Sequence, residues 1–230
     1  MTSEIRNLPK RQAFLFDMDG TLIDNMAYHT ASWIEFFRHR GKTIEPASFF
    51  VDTAGRRGVE ILREYIDAGL SDADCAALLE EKEQIYRDLY GPHLALLPGA
   101  RAFIDSARRN DRVLAIGTAA PPSNIAFTID GLGLRDLFTA IVGAADVERG
   151  KPAPDVFLKA AQLCAVDPAD CIVFEDAPLG IEAARNAGMR AVALTTSMPA
   201  AAFAGYDNVI AVGRDFDELA RGYFAQAPGD

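Results

Sequence analysis

The segment AFLFDMDGTLIDN at residues 13–25 ends an apolar run on two acids one residue apart, Asp17 and Asp19, followed at once by Gly20 and Thr21. Two ionised carboxylates at ~4 Å repel by ~4 kcal/mol at an effective dielectric near ~20. Such a pair needs a cation, a shared proton or separation. Other apolar runs also end on polar groups: Thr118 follows VLAIG (113–117), Lys151 lies in GKPAPD (150–155), and Glu175 and Asp176 follow CIVF (171–174). If these runs are parallel strands, four acids, one hydroxyl and one lysine converge at their carboxyl ends, where open α/β sheets bind ligands. These types suit phosphoryl transfer. One carboxylate can attack phosphorus, a second can protonate the leaving oxygen and then deprotonate water, and a lysine with a hard divalent cation can neutralise the phosphoryl oxygens. Mg²⁺, held by one or two carboxylates together with phosphate and water, is the cation that prefers such a set.

The elements that must position these residues are legible as a rhythm. Short apolar runs at 13–16, 113–117, 140–143, 171–174 and 191–194 read as strands covered on both faces, and VIAVG at 209–213 adds one more. Helical patterns at 100–109, 123–133, 154–164 and 178–187 alternate with them, the last stopped by Gly188, and a terminal helix is expected near 215–225. Strands alternating with helices predict βαβ units and a doubly wound parallel sheet, a Rossmann-like α/β core. Residues 26–95 break the rhythm. They read as helices at 26–40, 58–66 and 71–90, the last with Ser71 as N-cap and with Cys75, Leu78, Leu79, Lys82, Ile85, Tyr86 and Leu89 at helical spacing. A helical domain inserted after the first strand explains this better than a long structureless loop. The expected division is thus a core of residues 1–25 and 96–230 and an insert of 26–95, with hinges at 23–26 and 91–99.

Composition narrows the class. The chain has 230 residues, half of them hydrophobic, enough for a large core without disulfide or structural metal. A formal charge of −10 and a pI near 4.8 argue against a nucleic-acid surface. Cys75, Cys164 and Cys171 form no CxxC pair and read as core fillers in a reducing cytosol. Neither a signal peptide nor a membrane span is expected, so the predicted location is cytoplasmic and the predicted partner a small metabolite rather than a membrane. Nothing in the pattern separates a monomer from a dimer.

DMDGT at 17–21, Thr118 at the end of the second strand, KPAPD at 151–155 and FEDAPLGIEAARNAG at 174–188 together resemble the four motifs of the haloacid dehalogenase superfamily of phosphohydrolases and mutases. The similarity spans nearly the whole chain, and the subgroup it is closest to is the β-phosphoglucomutase-like hydrolases, whose mobile helical cap the insert resembles. The resemblance implies that Asp17 is the nucleophile and a Mg²⁺ ligand. It implies that Asp19 is the general acid and base, with its backbone carbonyl on the metal. Asp176 is then a direct ligand, and Glu175 shares the metal or orients a bound water. Thr118 and Lys151 hold the phosphoryl group. In the insert, His29 and Lys82 match positions where mutases of the subgroup keep a His and a Lys facing the active site. The GRR segment at 55–57 matches the specificity loop, with Arg56 or Arg57 as an anion ligand and Arg56 taken as the candidate.

Alternatives can be weighed residue by residue. Glu175 and Asp176 alone would read as a helix N-cap, Thr118 as a turn residue, Lys151 as a surface lysine, and a His or Lys on a long helix as packed or solvated. In one constellation the catalytic interpretation is stronger for the strand-end residues, whereas for His29 and Lys82 the packed or solvated reading is the stronger. GAADVERGK at 143–151 is no phosphate loop, because it lacks GxxxxGK spacing and Pro152 stands where Ser or Thr would meet the metal. A signalling receiver would carry its acid pair after the first strand, its phosphoacceptor after the third, and no insert, and an inert binding module would have lost Asp17 or Asp19. His39, His93 and the cysteines read as structural. The expected activity is hydrolysis of a small phosphorylated metabolite such as a sugar phosphate. The alternative is a β-phosphoglucomutase interconverting β-glucose 1-phosphate and glucose 6-phosphate. Mutases of the subgroup hold a second phosphate with a Ser, Lys and Asn run after the second-strand hydroxyl and with a loop Arg. Here Ala119, Ala120, Pro121 and Pro122 follow Thr118, and the Arg position is Gly58.

Overall fold

In a computed structural model, which describes residues 12–46, 48, 49 and 58–222, every residue of β1 (Ala13–Phe16) is buried, because neighbours lie on both edges and both faces of the strand. β1 pairs in parallel with β2 (Val113–Gly117) and β4 (Cys171–Glu175), with Phe16 opposite Ile116 on one side and Phe174 on the other. β3 (Ala140–Val142) extends the sheet beyond β2, and β5 (Arg190–Leu194) and β6 (Val209–Gly213) extend it beyond β4. Among the described residues the order is β3-β2-β1-β4-β5-β6, all parallel. The chain builds outward from β1 to β3, returns to β4 beside β1, and builds outward again. The direction reverses between β1 and β4, which is where a doubly wound sheet opens a crevice at its carboxyl edge.

Period-two alternation divides the strands between two cores. Phe14, Phe16, Leu114, Ile116, Ile172, Phe174, Val192 and Leu194 face α4 (Ala100–Arg109) and α8 (Phe216–Gly222) through Phe103, Ile104, Phe216 and Leu219. Ala13, Leu15, Ala115, Cys171, Val173, Ala191 and Ala193 face α6 (Asp155–Cys164) and α7 (Pro178–Asn186) through Val156, Phe157, Ala160, Ile181 and Ala184. Large rings on the first face and small side chains on the second let both helix layers seat closely. α7 stops at Gly188, whose φ of +73° suits a residue without Cβ. The helix expected over 123–133 differs: α5 (Pro122–Ile125) runs into a π-helical turn, Ala126–Asp130, whose wider winding buries the adjacent Thr128 and Ile129 together. Cys75, Cys164 and Cys171 are buried free thiols, as core fillers should be.

The chain divides into two compact units, one holding the residues up to Asp24 and from Ala95 onward, the other Asn25–Leu94. The second contains α1 (Met26–Arg38), α2 (Gly58–Tyr65) and α3 (Asp72–Tyr90) around Phe36, Phe37, Phe49, Ile61, Leu62 and Cys75. α3 begins where the sequence places it: Ser71 Oγ accepts from Asp74 N at 3.1 Å, and Asp72 and Asp74 sit in the positive first turn. Its buried stripe departs from the expected one at Leu89 and includes the charged Lys82 as the spacing places it. Leu89 is 39% exposed, whereas Lys82 is only 3% exposed. The helical class was read from spacing, but which apolar residue is left exposed depends on its neighbours. No helix among the described residues is long and apolar enough to cross a membrane.

The first core centres on interlocked rings: Phe103 lies 5.3 Å from Phe174, 5.2 Å from Phe216 and 6.0 Å from Phe14. Replacing a buried Phe by Ala typically costs ~3–5 kcal/mol. Phe103→Ala should therefore lower the urea midpoint by that free energy divided by the slope of unfolding free energy on denaturant, the slope itself being unchanged.

Candidate active site

Asp17 leaves β1 with its backbone N–H donated to Phe174 O at 2.9 Å, which fixes the end of β1 against the end of β4 at the strand-order reversal. This places Asp17, Glu175 and Asp176 together, with one carboxylate oxygen of each within 4.8 Å of the others and all three buried. Lys151 enters from the loop after β3. Its Nζ donates to Asp17 Oδ1 at 2.5 Å and to Glu175 Oε1 at 2.7 Å and lies 4.8 Å from the Phe157 ring centroid. The ring covers the ammonium on its apolar side and leaves its donors to the carboxylates. Thr118, 1% exposed, ends β2 and accepts from Ala120 N at 3.1 Å. Asp19 is half-buried in the turn that pairs it with Ile23, and its carboxylate is not part of the three-carboxylate group.

Glycines make room for this crowding. Gly20 has a φ of +75°, and a Cβ there would overlap the Asp176 carboxylate, so both backbone and space require glycine in DMDGT. A Cβ on Gly180 in α7 would overlap the Glu175 carboxylate, which instead accepts from Ala177 N at 2.8 Å through its other oxygen.

Asp176 has partners that were not singled out in the sequence. Thr21 Oγ1 donates to its Oδ1 at 3.2 Å, and Ser197 Oγ donates to its Oδ2. Thr196 Oγ1 beside it donates to the Gly20 carbonyl. The signal was present: the TTS run at 195–197 follows an apolar run just as Thr118 does, and the same strand-end rule would have found it. Of the other predicted residues, His29 and Lys82 belong to the second unit. There Lys82 Nζ lies 3.1 Å from His29 Nδ1 and donates to Glu83 Oε1 at 2.8 Å, while the His29 ring stacks on Tyr86 at 3.9 Å. Arg56 and the rest of the 55–57 segment lie outside the described residues.

Burial first, then the charges of Glu175, Asp176 and Asp19, raise the Asp17 carboxyl well above the ordinary carboxylate range, against the pull of Lys151. Burial, followed by the Glu175 charge, pushes Asp176 up to about 7 despite its hydroxyl partners. Burial draws the Lys151 ammonium down, but Asp17 and Glu175 outweigh it, and its net shift is upward. If all three carboxyls ionise, they and the one ammonium leave two net negative charges in a covered site, which is why Asp17 and Asp176 hold their protons until a cation binds. The set is all hard oxygen, it is buried, and it lacks two positive charges, so a divalent cation fits it.

Comparison with known proteins agrees with this geometry. A family model described as haloacid dehalogenase-like hydrolase matches residues 12–188. The chain is 36% identical over 180 residues to fructose-1-phosphate phosphatase YqaB of Escherichia coli, covering 77% of this chain and 93% of that one. Among solved structures it is similar to a haloacid dehalogenase hydrolase of family IA, variant 3, from Entamoeba histolytica, with a TM-score of 0.83 and 29% identity over 90% of this chain and 94% of that one. It is also similar to a β-phosphoglucomutase from Clostridium difficile, with a TM-score of 0.75 and 25% identity over 90% and 92% of the two chains. The chain belongs to the haloacid dehalogenase-like hydrolases and is an enzyme of that family.

Without metal, Asp176 keeps its proton up to about pH 7, whereas an unfolded aspartate releases it near 3.8. Between those values the folded state binds more protons than the unfolded state, so this group makes stability fall as pH rises. Asp17 acts in the same direction. Exposed ion-paired acids such as Glu35, lowered to about 2, act oppositely but have finished below their ordinary value of 4.5. The EDTA-treated protein should therefore lose Tm between pH 5 and pH 7.5. The Tm gain on adding a millimolar divalent cation should grow across that interval, as scanning fluorimetry at several pH values would record.

Proposed function

We propose that the protein is a Mg²⁺-dependent phosphatase that hydrolyses a small phosphorylated metabolite, a sugar phosphate above all, through an aspartyl-phosphate at Asp17. The observation that carries this is the Lys151 ammonium bridging Asp17 and Glu175, with Asp176 alongside, at the carboxyl edge of the central strands. Similarity to a fructose-1-phosphate phosphatase supports the substrate class.

In the first step an Asp17 carboxylate oxygen attacks phosphorus, the ester P–O bond breaks, and Asp19 gives its proton to the departing alkoxide. In the second, Asp19, now a carboxylate, takes a proton from water as the water oxygen attacks the phosphoaspartate. Inorganic phosphate leaves, and Asp17 is restored as a carboxylate with Asp19 protonated. Lys151 orients Asp17 through its 2.5 Å bond and balances phosphoryl charge, and Thr118 offers a hydroxyl at the end of β2. Asp17, Glu175, Asp176 and the Asp19 backbone carbonyl would hold Mg²⁺, which when bound supplies positive charge to the phosphoryl oxygens and keeps Asp17 ionised against its burial. Two roles for two acids follow from environment: Asp17 is buried and bound to Lys151, while the half-buried Asp19 stands two residues on and outside the carboxylate group.

Hydrolysis is favoured over mutation of the phosphate position by what surrounds Thr118 and Gly58. Ala119, Ala120, Pro121 and Pro122 present no side-chain donor to a second phosphate. A Cβ on Gly58 would come within 2.5 Å of Leu79 Cδ2, so an arginine there would displace Leu79. Each missing charge-assisted hydrogen bond removes ~1.5–3 kcal/mol from the binding of a bisphosphate. One observation favours the mutase alternative: the buried Lys82 meets His29 at 3.1 Å, and both match positions kept by mutases of the resembling subgroup.

Asp17→Asn should abolish turnover, and Asp19→Asn should lower kcat by at least ~10²-fold while Mg²⁺ binding is largely retained, since general acid–base catalysis contributes ~10²–10⁴-fold. Steady-state phosphate release together with Mg²⁺ titration of each variant checks both, and near wild-type activity in either would sink the mechanism. The enzyme supplied with fructose 1-phosphate should release phosphate only when Mg²⁺ is present. Supplied with β-glucose 1-phosphate and a trace of glucose 1,6-bisphosphate, it should yield free phosphate in preference to glucose 6-phosphate. Faster appearance of glucose 6-phosphate in a coupled dehydrogenase assay would make it a mutase.

A further inference from the structure

The loop after β5 contributes three successive hydroxyl residues whose bonds tie the carboxyl edge of the sheet together. Thr195 N donates to Gly213 O at 3.0 Å, holding the exit of β5 against the end of β6. Thr196 Oγ1 donates to the carbonyl of Gly20 in the turn after β1, and Ser197 Oγ donates to Asp176 Oδ2 after β4. Across the carboxylate, Thr21 Oγ1 holds Oδ1 at 3.2 Å. Asp176 thus has one hydroxyl on each oxygen, one from the turn after β1 and one from the loop after β5. An aspartate carboxylate rotates in a broad two-fold well, so a lone side chain at this place would sample many planes. With both oxygens held, the plane is set. An ionised carboxylate has about four acceptor sites, so each oxygen keeps a lone pair for a cation. Gly20 contributes by omission, since a Cβ there would overlap both the Asp176 carboxylate and Ser197 Oγ.

We propose that Ser197, which lies outside the four sequence motifs, is a positioning residue that orients Asp176 for metal capture. This rests on the assignment of Asp176 as a metal ligand in the proposed function. Ser197 itself touches neither substrate nor metal. Its hydroxyl fixes the orientation of a ligand, and partners of that kind typically govern metal affinity by ~10–100-fold. Thr196 anchors the loop, so the Ser197 hydroxyl is held in place before any cation arrives.

The test is calorimetric titration of Mg²⁺ into EDTA-stripped protein, paired with melting curves over a range of Mg²⁺ concentrations. Ser197→Ala should raise the Mg²⁺ Kd by ~10-fold or more, and Ser197→Thr, which keeps the hydroxyl, should bind nearly as the wild type does. Ser197→Val, the same shape as Thr without the hydroxyl, should bind as weakly as Ser197→Ala, so that the Thr and Val pair isolates the hydroxyl even if the shorter side chain loosens the loop. With phosphate release as the second readout, kcat at saturating Mg²⁺ should recover in Ser197→Ala, while the Mg²⁺ concentration for half-maximal rate rises with the Kd. A Mg²⁺ Kd in Ser197→Ala within about two-fold of wild type, or equal weakening in the Thr and Val variants, overturns the role of Ser197 and leaves the phosphatase assignment standing. A wild-type protein that binds no Mg²⁺ overturns the metal assignment itself, and this inference with it.

Discussion

Three buried carboxyl groups have one oxygen each within 4.8 Å of the others, two of them bound by a single ammonium and the third by two hydroxyls, and the arrangement of the α/β unit follows from making that possible. Asp17 and Glu175 share Lys151, whose own charge is kept by the pair it serves. A buried ion cluster of this kind is a poor source of stability, because desolvating the charges offsets their attraction. Its use lies in chemistry. Two positive charges short of neutrality once its three carboxylates are ionised, the cluster offers a set of hard oxygen donors that suits a divalent cation.

The sheet supplies the rigid frame for this. Parallel pairing of β1 with both β2 and β4 sets Phe16 beside Ile116 and Phe174, so the residues that follow emerge at one edge. Rings packed on one face, with Phe16 and Phe174 stacked at 4.7 Å, and small residues on the other keep those strand ends from shifting. Acids on loops without such a frame would move apart to relieve their repulsion. Glycines at 20 and 180 then let the carboxylates sit closer than a side chain would permit.

The helical unit shows the same economy of covered charge in a different setting. Lys82 is 3% exposed, with its Nζ beside His29 and Glu83 and 5.3 Å from the Trp33 ring centroid. Asn25 Nδ2 donates to Tyr86 OH at 2.6 Å, and the Tyr86 ring stacks on His29. A lysine covered this fully is held by specific partners rather than by solvent, unlike the ion pairs on the surface of α1 and α3.

The amino-acid sequence by itself determined the α/β class, the parallel alternation and the helical insert, because period and punctuation are local properties that survive any packing. It also placed Asp17, Lys151, Glu175 and Asp176 at strand ends, where the topology of a parallel sheet brings them together. The π-helical turn after α5 was not legible, because Pro121 and Pro122 mark only where a helix starts, whereas the wider turn buries Thr128 and Ile129 together. The exposure of Leu89 was not legible either, since α3 carries it on a helical pattern whose depth only its neighbours define. For Ser197 the strand-end position was legible, but its partner was not. Its residue type is ordinary in a loop, and its partner Asp176 lies 21 positions away in the chain. Only the adjacency of β4 and β5 in the sheet brings the two together, because hydrogen bonding acts over a few ångströms of space irrespective of separation in sequence.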